Sequence, residues 1–360
     1  MSKDINLRKK MTHGRKFYEP LADGAPKPKI DLSNELERVI HFFPPHLKKV
    51  TDKLDEIAKK ADVILGNLED GIAPKDKINA RKEFAKKSKK LNLKNTSLWT
   101  RVNSISSKWF LDDISFLIKE LGNTLDVIML PMISTPEEIL FADRIIALNE
   151  AENKLKKQIK IHIILETAEG VMNVESLAAC SPRLHGFSLG PADLAASRGM
   201  KTVRVGGSHP DYGILTDPKE KTSKREFLQQ DLWHYSLSKM IDACASNNIK
   251  AFFGPYGDFD DPEGCEIQFR NAFILGCHGA WSLHPSQIDI AKKVFCPSDD
   301  EVKKAAKIIN AMGDGTGAVK VDGKMQDEAT VKQANVIIEL AKKIKKKDPK
   351  LSKNFSKYIS

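Results

Sequence analysis

Short apolar, β-branched runs alternate along this chain with longer stretches whose apolar residues recur at helical spacing. The runs predict eight strands, at 39–43, 62–68, 97–102, 125–130, 160–165, 184–189, 249–254 and 279–283. The stretches between them predict helices, at 46–60, 76–90, 107–121, 136–155, 172–179, 228–246 and 262–275. Alternating strands and helices indicate an α/β fold with a parallel sheet. Eight such units in about 250 residues favour a (β/α)8 TIM barrel over an open sheet.

The pattern changes at both ends of the chain. Residues 1–35 are rich in Pro, Gly and Lys and predict an extended N-terminal arm. The barrel, which would be the catalytic domain, is predicted to span 36–296. Residues 297–360 predict a helix at 298–313, a glycine-rich loop at 314–324 and a second helix at 328–347. This is more than one barrel turn needs, so we expect a C-terminal helical extension that acts as a lid or an oligomerisation segment.

Composition narrows the class of protein. Of the 360 residues, 41% are hydrophobic and 29% are charged, which is typical of a globular protein with a core. No apolar run approaches the ~20 residues that span a bilayer, so no membrane association is expected. The start of the chain lacks the apolar core of a secretory signal. Five widely spaced cysteines without a CxxC pair argue against a disulfide framework or a zinc site and favour a reducing cytoplasm.

The formal net charge is +10. Such a balance suits nucleic acid, an acidic membrane surface or an anionic substrate. The densest basic run is 342–347, on a predicted helix, and no RNA-binding aromatic signature or zinc finger accompanies it. A solvated lysine face is therefore the preferred interpretation, and nucleic acid is not expected as a partner.

Carboxylates follow two neighbouring strands of the predicted barrel. Glu166 comes directly after the strand 160–165, and Asp193 comes shortly after the strand 184–189. In a barrel of this kind, the carboxyl ends of the strands face the active site. Carboxylate oxygens are preferred ligands of Mg²⁺, so the pair predicts a metal site. The alternative for each residue alone is a helix cap or an ion pair with a lysine.

Arginine and acidic side chains end two other strands. Arg101 follows an apolar strand and offers a permanent charge and a rigid fork of donors to an anion or a developing oxyanion. Glu69 and Asp70 follow the strand 62–68 and are candidates for orienting Arg101 or the waters of a metal. A purely structural salt bridge between Arg101 and one of these carboxylates is an equally open alternative.

Taken in order, the sequence blocks resemble the HpcH/HpaI aldolase and citrate lyase β-subunit superfamily, and most closely its malyl-CoA and β-methylmalyl-CoA lyase branch. The likeness covers about residues 35–345. It is carried by ADVILGNLEDGIAPKDK, TRVNS, LDVIMLPMI, IILETAEGVMNVESLAACSPRL, FSLGPADLAAS, FFGPYGDFDDPEG, WSLHPSQIDIAKKVFCPS and VDGKMQDEATVKQA. The segments VGGSHPDYGILTD and GPYGDF favour the malyl-CoA branch.

The resemblance implies a TIM barrel with a helical lid, assembled into homotrimers or homohexamers. It implies Mg²⁺ or Mn²⁺ held by Glu166 and Asp193, and an acyl-CoA thioester as substrate contacted by Arg101. It implies cleavage of malyl-CoA to acetyl-CoA (or propionyl-CoA) and glyoxylate, or the reverse condensation. Asp327 matches an acidic residue that reaches a neighbouring subunit's active site as general base. Arg38 matches an arginine on the first strand and is a candidate for contacting CoA.

The sequence departs from the family pattern in three places. Pro44-Pro45-His46 replaces Pro-Gly-Ser, Asn67 replaces an aspartate, and Met132 replaces a lysine after proline. These changes fall on the substrate-binding edge and leave the predicted catalytic residues intact. A malyl-CoA thioesterase and a citramalyl-CoA lyase remain open on the same scaffold. A non-enzymatic anion-binding protein is the remote alternative.

Overall fold

A computed structural model of the chain describes residues 17–29, 32, 35–218, 224–313 and 316–359. The described residues fall into two compact units. The first consists of the described residues before position 34 together with those of Glu37–Ala291, and the second consists of the described residues of 34–36 and of Lys292–Ser360. This division falls five residues before the predicted boundary at 296/297, and Cys296 packs in the hydrophobic cluster of the second unit.

Eight parallel strands close the barrel of the first unit: β1 (Val39–Phe43), β2 (Val63–Asn67), β3 (Ser97–Arg101), β4 (Val127–Leu130), β5 (Lys160–Leu165), β6 (Leu184–Leu189), β9 (Lys250–Phe253) and β10 (Gly279–Ser282). Around the barrel they follow the order β1-β10-β9-β6-β5-β4-β3-β2. All eight predicted strands are present, and the TIM-barrel prediction is confirmed. Strands β7 (Gly213–Leu215) and β8 (Phe227–Gln229) form a separate antiparallel hairpin that the sequence pattern did not predict.

Helices follow the strands as the spacing predicts, with some differences at their ends. They are α1 (Lys48–Thr51), α2 (Leu54–Lys60), α3 (Lys77–Ser88), α4 (Phe110–Leu121), α5 (Pro136–Glu152), α6 (Ala168–Ala179), α7 (Pro191–Ser197), α8 (His234–Ser246), α9 (Pro262–Leu275) and α10 (Ser286–Val294). Single 3-10 turns occupy Pro74–Asp76 and Gly122–Thr124. Within the described parts of the chain, no helix is both long and apolar enough to cross a bilayer.

The barrel interior is packed rather than hollow. Its apolar members come from most of the strands, and include Ile40, Val63, Trp99, Ile164 and Phe252, all less than 2% exposed. Because side chains alternate along each strand, the inward set fills the centre, and the outward set packs under the helices. The strands all run in the same direction, so their carboxyl ends meet at one mouth of the barrel.

The second unit contains α11 (Asp299–Met312) and α12 (Glu328–Lys347), packed through Val302, Ala305, Ala334, Ile338 and Ala341, with a 3-10 turn at Ser356–Tyr358. Both predicted helices are present. The predicted loop 314–324 is wrong in part, because an antiparallel hairpin of β11 (Ala318–Val321) and β12 (Lys324–Asp327) stands there. Asp322 and Gly323, both at positive φ, make its turn. An Asp-Gly pair is a strong hairpin signal in sequence.

The described part of the predicted N-terminal arm has a buried anchor. Phe17 is 1% exposed and lines a small cavity with Leu140 and Pro182. Residues 17–29 are therefore grouped with the barrel unit. Residues 1–16 of the predicted arm lie outside the described residues.

Candidate active site

A cavity of about 420 Å³ opens at the carboxyl ends of the barrel strands. Its polar lining includes Asp70, Arg101, Glu166 and Asp193, from four different strand ends. The position is the one that the sequence predicted for them, at the mouth to which all eight strands point. The cavity therefore brings two candidate metal ligands and one candidate oxyanion donor into a single space.

Glu166 sits immediately after β5 and is 3% exposed. The backbone N–H of Met132, which follows β4, donates a hydrogen bond of 2.7 Å to its Oε1. Burial raises the pKa of Glu166 to about 8, against the lowering effects of Arg101 and the Met132 N–H. Asp193 and Glu69 add to the rise because they carry like charge. Without a counter-ion, this carboxylate is costly to ionise.

Asp193 lies in the first turn of α7 and shares a hydrogen bond with the Glu166 side chain. Burial, followed by the charge of Asp70, raises the pKa of Asp193. Gly190, just before α7, allows this approach, because a Cβ there would stand 2.7 Å from Oε2 of Glu166. Only glycine leaves room for the Glu166 carboxylate at this point.

The two carboxylates fit a hard divalent cation. Both have raised pKa values, they are within hydrogen-bond reach of each other, and they line an open cavity. A cation between them would offset the repulsion and desolvation that raise their pKa values. Mg²⁺ commonly takes one or two protein carboxylates and completes its shell with water or substrate oxygens. The donor set is therefore suited to Mg²⁺ or to the similar Mn²⁺.

Arg101 ends β3 and is held from several sides. Its Nε donates to Oδ1 of Asn67 at 2.8 Å, and its Nη2 lies 3.1 Å from Oε2 of Glu69 and 3.4 Å from Oδ2 of Asp70. Its guanidinium also stands 5.9 Å from the ring centroid of Phe42. The side chain is only 7% exposed, yet it lines the cavity. Arg101 therefore makes the predicted salt bridges with Glu69 and Asp70 and also faces the cavity.

The turn that carries Glu69 and Asp70 is tied down by Lys77. The Lys77 ammonium donates to the carbonyl oxygens of Leu68 at 3.0 Å and Glu69 at 2.5 Å. Burial raises the pKa of Glu69, although Arg101 opposes that rise. The turn therefore presents two carboxylates to Arg101 from a fixed backbone.

Comparison with known proteins decides the family. The family model described as HpcH/HpaI aldolase/citrate lyase matches residues 38–285. The chain belongs to this family. It is 53% identical to the malyl-CoA/β-methylmalyl-CoA/citramalyl-CoA lyase of Chloroflexus aurantiacus, over 96% of this chain and 99% of that protein. It is 35% identical to an L-malyl-CoA/β-methylmalyl-CoA lyase of Rhodobacter capsulatus, over 86% of this chain and 96% of that one.

A solved structure agrees on the fold of this family member. The CitE protein of Mycobacterium tuberculosis, solved with magnesium, acetoacetate and coenzyme A, superposes with a TM-score of 0.65. The match covers 86% of this chain and 99% of that one, at 21% identity. At that identity the likeness concerns the fold alone.

Arg38 does not line the cavity, and its predicted contact with CoA stays a prediction. It precedes β1, at the amino end of the strand, whereas the cavity lies at the carboxyl ends. Its guanidinium is buried against Asp62, with Nε 2.8 Å from Oδ2 and Nη2 3.0 Å from Oδ1. A guanidinium that is 1% exposed and paired in this way would have to leave Asp62 before it could meet a ligand.

Asp327 lies in the second unit, where it is the N-cap of α12 and accepts a hydrogen bond from the Thr330 N–H at 3.0 Å. Its predicted role in a neighbouring copy stays a prediction. The contact of Asn67 with Arg101 and that of Met132 with Glu166 were not predicted from the sequence, where both residues appear only as departures from the family pattern. The strand register pairs Asn67 with Arg101, and that pairing is the signal that points to their contact.

Proposed function

We propose that this family member is a divalent-metal-dependent carbon–carbon lyase acting on malyl-CoA-type thioesters. It would release acetyl-CoA or propionyl-CoA and glyoxylate, or condense them in the reverse direction. The observation that carries the proposal is the convergence of Glu166, Asp193 and Arg101 on one cavity. The names of the relatives at 53% and 35% identity support the choice of substrate.

Glu166 and Asp193 would hold Mg²⁺ or Mn²⁺ in this proposal. A divalent ion bound there supplies a Lewis acid for the hydroxyacid or oxoacid end of the substrate. Because both carboxylates are themselves held in place, they would fix the position of the ion and of the hydroxyacid or oxoacid end of the substrate. Glu166 is held by the Met132 N–H, and Asp193 by the first turn of α7.

Arg101 would stabilise the oxygen of the thioester as it becomes an enolate. Its guanidinium is oriented by Asn67 and by the turn that carries Glu69 and Asp70. A donor that is already oriented stabilises developing charge without reorganisation. In the cleavage direction the substrate hydroxyl would give up its proton to water and become the glyoxylate carbonyl. The electron pair of the broken carbon–carbon bond would move into the enolate, whose oxygen faces Arg101.

Asp327 would exchange the proton at the α-carbon of the acyl-CoA. We place it in trans, donated by a neighbouring copy in a homotrimer or homohexamer, as the family resemblance implies. The Asp327 carboxylate is partly exposed at the end of β12, which suits a residue that meets another molecule. We also place the protein in the cytoplasm, because none of the five cysteines, all of which the structure describes, forms a disulfide.

Citramalyl-CoA cleavage is the second candidate, since the name of the Chloroflexus relative includes it. It uses the same chemistry with pyruvate in place of glyoxylate. A malyl-CoA thioesterase would use the same cavity but release free CoA.

The experiment is a substrate panel assayed with Mg²⁺, with Mn²⁺ and with EDTA. The protein is incubated with acetyl-CoA or propionyl-CoA and with glyoxylate or pyruvate, and the thioesters are followed by mass spectrometry. We expect malyl-CoA or methylmalyl-CoA formation that stops in EDTA. Free CoA without a new thioester would favour the hydrolase, and no turnover with any pair would overturn the proposal. The same panel is run on Glu166→Gln, which should lose the metal-dependent activity. Glu169→Gln, the same change at an exposed residue of α6, is its control.

A further inference from the structure

A line of polar side chains runs through the otherwise apolar interior of the barrel. It begins at the amino ends of the strands, where Glu37 Oε2 lies 2.6 Å from Nζ of Lys250 and 2.8 Å from Nε2 of His185. His185 Nδ1 lies 3.1 Å from Nδ1 of His162, and His162 Nε2 lies 2.8 Å from Oγ of Ser188.

The line ends at the wall of the cavity. The indole N–H of Trp281 donates to Oγ of Ser188 at 2.8 Å. Trp281 lines the cavity at the other mouth of the barrel, 4% exposed, and its ring packs against Phe42 with centroids 4.3 Å apart. Phe42 in turn lies against the guanidinium of Arg101. Five hydrogen-bonding residues, from Glu37 to Trp281, thus connect the amino end of the barrel to the apolar wall of the cavity.

The groups at the two ends of this line, together with neutral imidazole rings between them, fix which atom donates in each hydrogen bond. Glu37 accepts, so Nε2 of His185 carries a proton. Trp281 can only donate, so Ser188 Oγ accepts from it and has its own proton left to donate. If both imidazoles are neutral, His162 Nε2 accepts from Ser188, and His162 Nδ1–H donates to His185 Nδ1.

The opposite direction is unfavourable. It would place a proton on His162 Nε2 and on His185 Nδ1, so that a neutral His185 would turn a lone pair toward the Glu37 carboxylate. Ser188 would also accept twice and leave its own proton without the His162 acceptor. Burial lowers the pKa values of both His162 and His185, which keeps the rings neutral and agrees with the first direction. Buried polar groups that are all satisfied in this way specify one arrangement of the core.

We propose that Ser188 and His162 are positioning residues that hold the Trp281 indole in place, and that Trp281 thereby sets the space for the acyl group of the thioester. The second part rests on the proposed function, because it assumes an acyl-CoA between Arg101 and the carboxylate pair. Trp281 and Phe42 are the apolar surface beside Arg101, where an acetyl methyl or a propionyl chain would stand.

Two variants test the positioning role. Ser188→Ala removes the acceptor of the Trp281 N–H, and Trp281→Phe removes the N–H while keeping an aromatic ring. We expect either change to shift the ratio of kcat/KM for propionyl-CoA against acetyl-CoA by about tenfold toward propionyl-CoA, because a released or smaller ring leaves more room. The double variant should show no further shift, since both changes break the same bond. Ser88→Ala, at a buried serine of α3 outside this line, should leave the ratio unchanged.

Neutron diffraction from deuterated crystals of the wild-type protein tests the line without any assay. Deuterium on Nδ1 of His162 and on Nε2 of His185 only is the expected result. Deuterium on Nε2 of His162 would overturn the proposal, as would an unchanged substrate ratio in both single variants. If the wild type turns over no acyl-CoA at all, the proposed function fails, and the deuterium positions still decide whether the line exists as described.

Discussion

The backbone N–H of Met132 and the Oε1 of Glu166 are joined by a hydrogen bond of 2.7 Å. Met132, two residues after the end of β4, makes this bond with a φ of 58°, in the left-handed region. Non-glycine residues reach that region at a cost of about 1–2 kcal/mol. The strain lies at the end of a barrel strand, beside a candidate metal ligand, which is where strained backbone tends to occur.

Met132→Gly and Met132→Ala separate the backbone from the side chain. Both keep the N–H that holds Glu166, so both should retain metal-dependent turnover within about threefold, a change of less than 1 kcal/mol. Alanine keeps the strain at φ 58° and glycine removes it, so we expect the glycine variant to be more stable than the alanine variant by about 1 kcal/mol. Urea unfolding of the two variants measures the difference. A more stable alanine variant would show that the strain is absent.

Glu166→Gln and Asp193→Asn should each abolish the response to metal. The wild type is expected to gain thermal stability on addition of Mg²⁺, because an ion that binds only the folded state stabilises it. Each variant should lose that gain and lose about 100-fold or more in kcat/KM. Differential scanning fluorimetry with and without Mg²⁺, and the lyase assay, check both. A normal response to Mg²⁺ in either variant would remove that residue from the metal site.

The raised pKa of Glu166 predicts a pH dependence in metal-free protein. A carboxyl group with a pKa of about 8 in the folded state holds its proton there while the unfolded chain releases it. Its contribution to stability is complete below about pH 4.5 and is lost as the pH rises through about 8, at up to about 1.4 kcal/mol per pH unit. In EDTA, the wild type should therefore lose more Tm than Glu166→Gln between pH 6 and 8.5. Parallel curves for the two proteins would contradict the shifted pKa.

The fold was largely predictable from the sequence because buried parallel strands are continuous apolar runs bounded by polar turns. Among the elements absent from the predicted set are the short helix α7, which spans seven residues, and the hairpin of β7 and β8, whose strands have three residues each. Elements this short carry too few residues for a period to be recognised. The hairpin before α12 is different, since Asp322-Gly323 is a turn signal that the glycine-rich composition obscured.

The sequence predicted which side chains lie at the carboxyl ends of the strands, but it did not predict the contacts that hold them. Glu166, Asp193 and Arg101 follow from the rule that strand carboxyl ends meet. The same rule does not favour Arg38, which stands at the amino end of β1 and was proposed from the family likeness alone. The Met132 N–H and the line from Glu37 to Trp281 depend on a turn conformation and on contacts across the barrel, which no local pattern encodes.

Asn67 replaces an aspartate of the family pattern, and its contacts explain what the amide does. Its Oδ1 accepts from Arg101 Nε at 2.8 Å, while its Nδ2 donates to the Asp70 carbonyl at 2.6 Å. Asn67→Asp keeps the acceptor and loses the donor, whereas Asn67→Ala loses both. We therefore expect kcat/KM to fall about tenfold in the alanine variant and less in the aspartate variant.

The free energy of unfolding should also separate Asn67→Asp from a matched control variant. Asn67→Asp places a carboxylate oxygen against the Asp70 carbonyl, so its free energy of unfolding should fall by about 1–2 kcal/mol. Asn79→Asp, an equal change of charge on the exposed face of α3, should leave stability within about 0.5 kcal/mol of wild type. An alanine variant as active as wild type would show that Arg101 needs no support from Asn67.

Asp327→Asn and Glu166→Gln test whether two copies of the chain build one active site. Asparagine is as good an N-cap as aspartate, so the first variant should keep α12 and lose only the general base. Each variant alone should be inactive, and the Asp327→Asn variant should also fail to exchange deuterium into the acetyl-CoA methyl group. Co-expressed with different tags and purified as a mixed oligomer, the two should regain part of the activity, because some sites then combine Glu166 of one copy with Asp327 of another. A mixed oligomer without activity, beside a tagged wild-type oligomer that is active, would place both residues in one chain or exclude Asp327 from the reaction. A protein that is fully active while it sediments as a monomer would also contradict an active site shared between two copies.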